Sequence, residues 1–381
     1  MTSTRLPLRS TGSLVVGIDG RELQGRPTGT GRYLRNLLRR WRETGDTLVV
    51  YFDGQPPPEA TLDHPAITPR AVGDGRSRGL VWQQRLLPAA ARADRLDVFF
   101  SPAYSCPLRL PTPRVTAVHD LSFFSHPQDF TLRDGLRRRL LTGLSVAASR
   151  GVLACSDFTR RELVGRFPAA APRVSHIPLG PDDDLPAAPP REEARGRLGV
   201  SGPFLLTVGA VLNRRCLPEL LRAVGRLAPR HRGLVLDVVG ENRTHPLLDL
   251  PALVSSLGLG GHVRLSGFVD EAALADRYAA ADAAVFLSEY EGFGLPALEA
   301  ASRGVPLVVS RSPSLGEIFA DAALLVGPRD ESAVARALDR VLTEPGTRAR
   351  LVSTGHGLAA RYSWETTAKL TRAACLEAAG S

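Results

Sequence analysis

Short runs of β-branched and aliphatic residues alternate along this chain with longer Arg/Ala/Leu-rich amphipathic segments, and no other feature restricts the possible folds as much. A strand buried on both faces reads as an unbroken apolar run, whereas a covering helix repeats its apolar positions every three to four residues. Strands are expected at 14–18, 48–52, 98–100, 115–118 and 151–154, and again at 204–208, 235–239, 263–265, 284–287, 306–309 and 323–326. Each half therefore reads as its own α/β, doubly wound parallel sheet. A chain of 381 residues exceeds one typical core, so two domains are expected, with a ligand cleft between them.

The break between the halves falls at Pro181-Asp182-Asp183-Asp184 and the proline-rich stretch to Pro190, which has few residues to bury. This places domains at 1–182 and 183–360, with a closing segment at 361–381. The three aspartates read as a solvated turn and are assigned no metal. Residues 56–58 and 69–79 read as surface loops.

Composition excludes more than it selects. A hydrophobic share of 43% and a charged share of 23% fit a folded globular chain. The net charge of +9 points toward anionic partners, and Lys369 is the only lysine among 48 basic residues. With 6% aromatics and no basic–aromatic interleaving, single-stranded nucleic acid is not expected as a partner. The four cysteines, Cys106, Cys155, Cys216 and Cys375, are widely spaced, matching neither a zinc site nor a disulfide framework, and a reducing cytoplasm fits them. Near the N-terminus, Arg5 and Arg9 precede an apolar run too short for a signal-peptide core or a membrane span.

The chemistry concentrates where a strand gives way to a helix. In Glu289-Tyr290-Glu291-Gly292-Phe293-Gly294-Leu295, Gly292 and Gly294 let main-chain amides approach an anion, and the helix that follows adds its positive end. Glu299 lies about two turns into that helix and pairs with Glu291 across an extended ligand, or is a solvated helix residue. The first half opens similarly, with Gly29 and Gly31 after a strand; this is a phosphate or acceptor loop, or a plain tight turn. His119 stands at the end of a strand, followed by Asp120, which orients it or caps the next turn. A dehydrogenase reading also stays open here, with Asp53 as its ribose contact.

The glutamate pair, spaced by seven residues, resembles the hallmark of glycosyltransferase family 4. The resemblance runs over nearly the whole chain: the opening Gly17-Ile18-Asp19-Gly20-Arg21 and Pro27-Thr28-Gly29-Thr30-Gly31, the His119-Asp120 pair, Ser156, and Gly209-Ala210-Val211-Leu212-Asn213-Arg214-Arg215. It continues through Gly240, Gly267-Phe268-Val269 and Tyr362-Ser363-Trp364. It implies the GT-B architecture of two facing Rossmann-like domains and transfer from a nucleotide-diphosphate sugar, with retention and without metal or other cofactor. In these terms His119 and Glu291 reach the transferring sugar, while Arg214 and Arg215 neutralise the departing diphosphate. Gly29, Gly31, Gly209, Gly240, Phe268, Val269, Gly292, Phe293, Gly294, Leu295 and Glu299 line the donor site, Glu299 at the ribose.

Two departures stand out: Ala210 where relatives often carry arginine, and Cys216 where Asn or Gly is common. They keep open a GT-B nucleotide-sugar epimerase or phosphorylase and a catalytically weak sugar-nucleotide binder. The acceptor, a glycan, a lipid-linked sugar or a natural product, is not legible. The segment 131–148, with Arg133, Arg137, Arg138 and Arg139 beside Leu136, Leu140, Leu141 and Leu144, reads first as a helix covering the sheet and second as a basic face for peripheral contact with an anionic membrane.

Overall fold

The computed structural model describes residues 12–25, 28–76, 79–182 and 185–380; Arg5, Arg9, Pro27, Asp183 and Asp184 lie outside them. Contacts divide the chain into two compact units. The first takes the chain up to Leu121, then Leu136–Leu179 and everything from Ser363 onward. The second takes Ser122–Gly135 and Gly180–Tyr362, so a short excursion out of the first half belongs to the second unit, which no sequence signal marks.

Among the described residues the first unit is built on seven strands: β1 (Val15–Asp19), β2 (Thr47–Asp53), β3 (Ile67–Val72), β4 (Val98–Ser101), β5 (Arg114–Val118), β6 (Gly151–Ala154) and β7 (Val174–His176). They lie in the order β3-β2-β1-β4-β5-β6-β7, with parallel pairing between neighbours. The five apolar runs read from the sequence are its central strands. The two unread ones, β3 and β7, are its edges, where only one side is paired: burial alternates along β3, and β7 has no buried residue. The expected loop at 69–79 is corrected accordingly: Pro69 sits in β3 beside Val50, tolerated because an edge strand can leave a missing N–H unpaired.

The helix Gly29–Trp41 starts at Thr28, whose hydroxyl accepts the Gly31 amide at 2.9 Å, and buries Tyr33, Leu34, Leu37, Leu38 and Trp41 against the sheet. Asp46, 2% exposed, ties this helix to the last one, Trp364–Gly380, by accepting from the Trp41 indole at 2.8 Å and the Arg372 guanidinium at 2.7 Å. Burial pushes the Asp46 carboxyl up; the donors from Arg372, Leu14 and Trp41 more than offset it and hold its pKa below the usual value.

The second unit has six strands among the described residues: β8 (Phe204–Val208), β9 (Val235–Val239), β10 (Val263–Gly267), β11 (Ala283–Phe286), β12 (Leu307–Ser310) and β13 (Ala323–Val326), ordered β10-β9-β8-β11-β12-β13. Its core packs the apolar stripe of the helix Leu217–Leu227 (Leu217, Leu220, Leu221, Val224, Leu227) on Leu205, Leu236 and Val285. The order reverses between β8 and β11, and the carboxyl ends of such strands are where α/β folds hold ligands. At the break between the halves, Asp182 is buried at 8% exposure and so is not itself solvated, while the other two aspartates of the expected turn lie outside the described residues. Among the described residues no helix is long and apolar enough to cross a membrane.

Candidate active site

In the second unit, β11 runs into the loop 288–294 and then the helix Leu295–Ser302. Three serines hold the loop. The Ser288 amide donates to Ser310 Oγ at 2.8 Å, Ser288 Oγ donates to the Tyr290 carbonyl at 2.9 Å, and Ser314 Oγ donates to the Glu291 carbonyl. Gly294 closes the loop at φ +94°, where any other residue is strained, and a Cβ there would also push the Leu315 side chain, 2.5 Å away, aside. No side chain caps the helix, so its positive end faces the loop.

Arg215 lies at the ends of β8 and β11. Its Nε donates to Glu291 Oε1 at 3.0 Å and its guanidinium lies 4.8 Å from the centre of the Phe286 ring. A Cβ on Gly209 would meet the Arg215 guanidinium at 2.1 Å, and one on Gly240 would meet the Gly209 carbonyl at 2.1 Å. Both glycines therefore serve close approach: Gly240 lets two strand ends meet, and Gly209 leaves room for the cation. A cavity lined by Gly209, Ala210, Arg215, Val238 and Phe286 opens there.

The neighbouring arginine does something else. Arg214 is 9% exposed, its Nε donates to the Tyr290 carbonyl at 3.3 Å, its own carbonyl accepts the Glu289 amide at 2.8 Å, and its guanidinium lies 3.6 Å from Asp129. It braces the 288–294 loop through these bonds. Asp129 comes from the excursion 122–135, too far off in sequence to be found by motif.

Glu299 is 1% exposed and accepts from the Tyr278 hydroxyl at 3.2 Å, so it is no solvated helix residue. Sequence reading passed over Tyr278, and also over Asp237, 0% exposed, which accepts from Ser266 Oγ at 2.6 Å and Arg277 Nε at 2.9 Å. That pair of bonds fixes the end of β10 just before Phe268, which is 56% exposed, and Val269, which is half-buried. Phe293 is buried with its ring 5.6 Å from that of Tyr362; Gly292 is buried beside it and Leu295 is half-buried. Cys216 adopts φ +48°, the left-handed conformation that Gly and Asn take at least cost, which accounts for those residues being common there. Burial, then Glu289 and Glu219, push its thiol up to about 12.

In the first unit, His119 follows β5. Its Nε2 lies 2.7 Å from the Pro102 carbonyl, which can only accept, so Nε2 carries the proton and Nδ1 is the acceptor. Its ring is flanked edge-on by Tyr33 at 4.7 Å and Tyr104 at 5.8 Å, and burial holds its pKa below the usual histidine value. Asp120 accepts from the Tyr104 hydroxyl at 3.0 Å, so the group that orients His119 is Pro102. At Gly31 a Cβ would meet the Glu22 carbonyl at 2.4 Å, so that glycine answers to packing, whereas Gly29 faces open space. Ser156 caps the helix Asp157–Arg166 by accepting the Thr159 amide at 3.1 Å.

Residues 27–185 match the family described as Glycosyltransferase Family 4, and residues 190–357 match Glycosyl transferases group 1. The O-antigen chain mannosyltransferase B of Escherichia coli is 29% identical over 89% of this chain and 93% of its own length. A D-inositol 3-phosphate glycosyltransferase of Frankia alni is 34% identical over 59% of this chain and 58% of its own length. Among solved structures, sucrose-phosphate synthase from Thermosynechococcus elongatus superposes with TM-score 0.79 at 21% identity, over 97% of this chain and 100% of that one. HepE of Anabaena in complex with UDP and glucose gives 0.74 at 18%, over 94% and 98%. Two Rossmann-like units with these strand orders have the GT-B fold. More narrowly, the chain belongs to the family 4, group 1 glycosyltransferases.

Proposed function

We propose that this enzyme moves a hexose, mannose or glucose or a close relative, from a nucleoside-diphosphate sugar to a hydroxyl acceptor, with retention at the anomeric carbon and without a metal. The observation that carries the reading is the Arg215–Glu291 pair beside an uncapped helix start. Breaking the bond between sugar and phosphate leaves negative charge on the diphosphate, and a fixed guanidinium and helix amides stabilise it without reorganising. Glu291 holds Arg215 in place and takes hydroxyls of the sugar, Glu299 takes the ribose, and the region of Phe268 and Val269 takes the base. His119, a neutral acceptor at Nδ1, takes a sugar hydroxyl. The mannosyltransferase relative of Escherichia coli and the UDP-binding HepE favour a hexosyl donor. The acceptor is a glycan, a lipid-linked sugar or a natural product, handled in the cytoplasm.

The test is a thermal-shift and hydrolysis screen of GDP-, UDP- and dTDP-sugars in EDTA. One nucleotide family raises Tm, the matching sugar is hydrolysed slowly, and both effects vanish in Arg215→Ala and Glu299→Ala. Indifference to every nucleotide, or a strict need for a divalent ion, sinks the reading.

A further inference from the structure

The helix Leu132–Ala148 is amphipathic in the reverse sense of an ordinary covering helix. Its inward positions are Thr142, Ser145, Val146 and the adjoining Ser149, each 1% exposed. The serines are inward because they have work there. Ser145 Oγ accepts the Cys106 amide at 2.9 Å, and Ser149 Oγ lies 2.8 Å from Thr116 Oγ1 on β5. Four of its five leucines point the other way: Leu132 is 80% exposed, Leu136 54%, Leu140 63% and Leu144 43%, while Leu141 is half-buried. Four residues advance a helix by about 400°, so these four form one continuous stripe that drifts about 40° per step. The helix covers the sheet as expected, but through its small and polar residues and not through these leucines.

Leaving such a stripe in water forgoes the burial of four large apolar side chains. From this reversal we propose that the stripe docks on an anionic lipid surface, with the helix lying in the plane of the headgroups. Charge identifies the occupant. Arg133 and Arg137 sit one position beyond Leu132 and Leu136 on the same exposed face, Arg138 and Arg139 follow, and Asp134 is the only acid within the helix. Basic residues beside leucines match an interfacial helix on anionic headgroups. A second copy of the chain would set these arginines against their own equivalents. With 17 residues and this charge, the helix lies on a bilayer and does not cross it. The inference is independent of the donor chemistry and brings a lipid-linked acceptor within reach.

The test is co-sedimentation of the full chain with phosphatidylcholine vesicles, with and without phosphatidylglycerol, beside size-exclusion light scattering and the nucleotide thermal shift. The protein pellets with the anionic vesicles only. Leu136→Ser/Leu140→Ser/Leu144→Ser weakens this at least about tenfold, while its Tm and its nucleotide shift stay unchanged. Arg133→Ala/Arg137→Ala weakens it less and steepens its loss with salt. Failure of the wild type to pellet with anionic vesicles overturns the proposal, as does equal pelleting of the leucine variant. So does a wild-type dimer that the leucine variant dissolves, which assigns the face to a second copy.

Discussion

Arg214 and Arg215 are adjacent in sequence and chemically identical, and their surroundings alone separate them. Arg214→Ala leaves Asp129 buried without its cation and unpins the Tyr290 carbonyl, so Tm falls, with about 3 kcal/mol lost in urea unfolding. Arg215→Ala leaves Glu291 unpaired and so also lowers Tm, but unlike Arg214→Ala it loses the stabilisation by nucleotide, which a thermal shift with and without nucleoside diphosphate resolves. His119 carries a pH signature. Its buried ring resists a proton that the unfolded chain accepts below about pH 6.5, so stability declines as pH falls through that value toward the folded pKa. Urea unfolding at a series of pH values detects this, and His119→Gln, which cannot titrate, makes the decline shallower.

At the scale of elements, what matters is how a strand hands over to a helix. Gly294 illustrates it: alanine there meets Leu315 at 2.5 Å and a left-handed φ as well, so Gly294→Ala costs upward of about 1 kcal/mol and weakens nucleotide binding by shifting the helix start. Gly316, inside the next helix with open space around it, is the control: its alanine variant gains up to about 1 kcal/mol of stability and leaves nucleotide binding unchanged. The same scale explains what sequence reading saw and missed. Central strands announce themselves by continuous apolar runs because both faces are covered. The edges β3 and β7 do not, and the outward leucines of Leu132–Ala148 mimic a core stripe because periodicity reveals that a face exists without saying what it meets.

At the scale of the whole chain, neither unit is one continuous piece of sequence. The first is completed by the helix Trp364–Gly380, whose Trp364 is 0% exposed with its ring 6.0 Å from that of Tyr33, the residue that also flanks His119. Trp364→Ala therefore removes about 3–5 kcal/mol of stability and loosens His119; fluorescence-detected unfolding and the His119 ring proton shifts report the two effects separately. From sequence alone came the two Rossmann-like sheets, the family, and the residue types gathered at strand ends, since local periodicity, glycine at strained turns and short motifs are properties of neighbouring residues. Which of two arginines faces the cavity, that Tyr278 and Asp237 brace the site, and that a leucine stripe faces outward were decided by tertiary structure. Burial and hydrogen-bond partners belong to side chains that meet only after the chain has folded, tens or hundreds of positions apart.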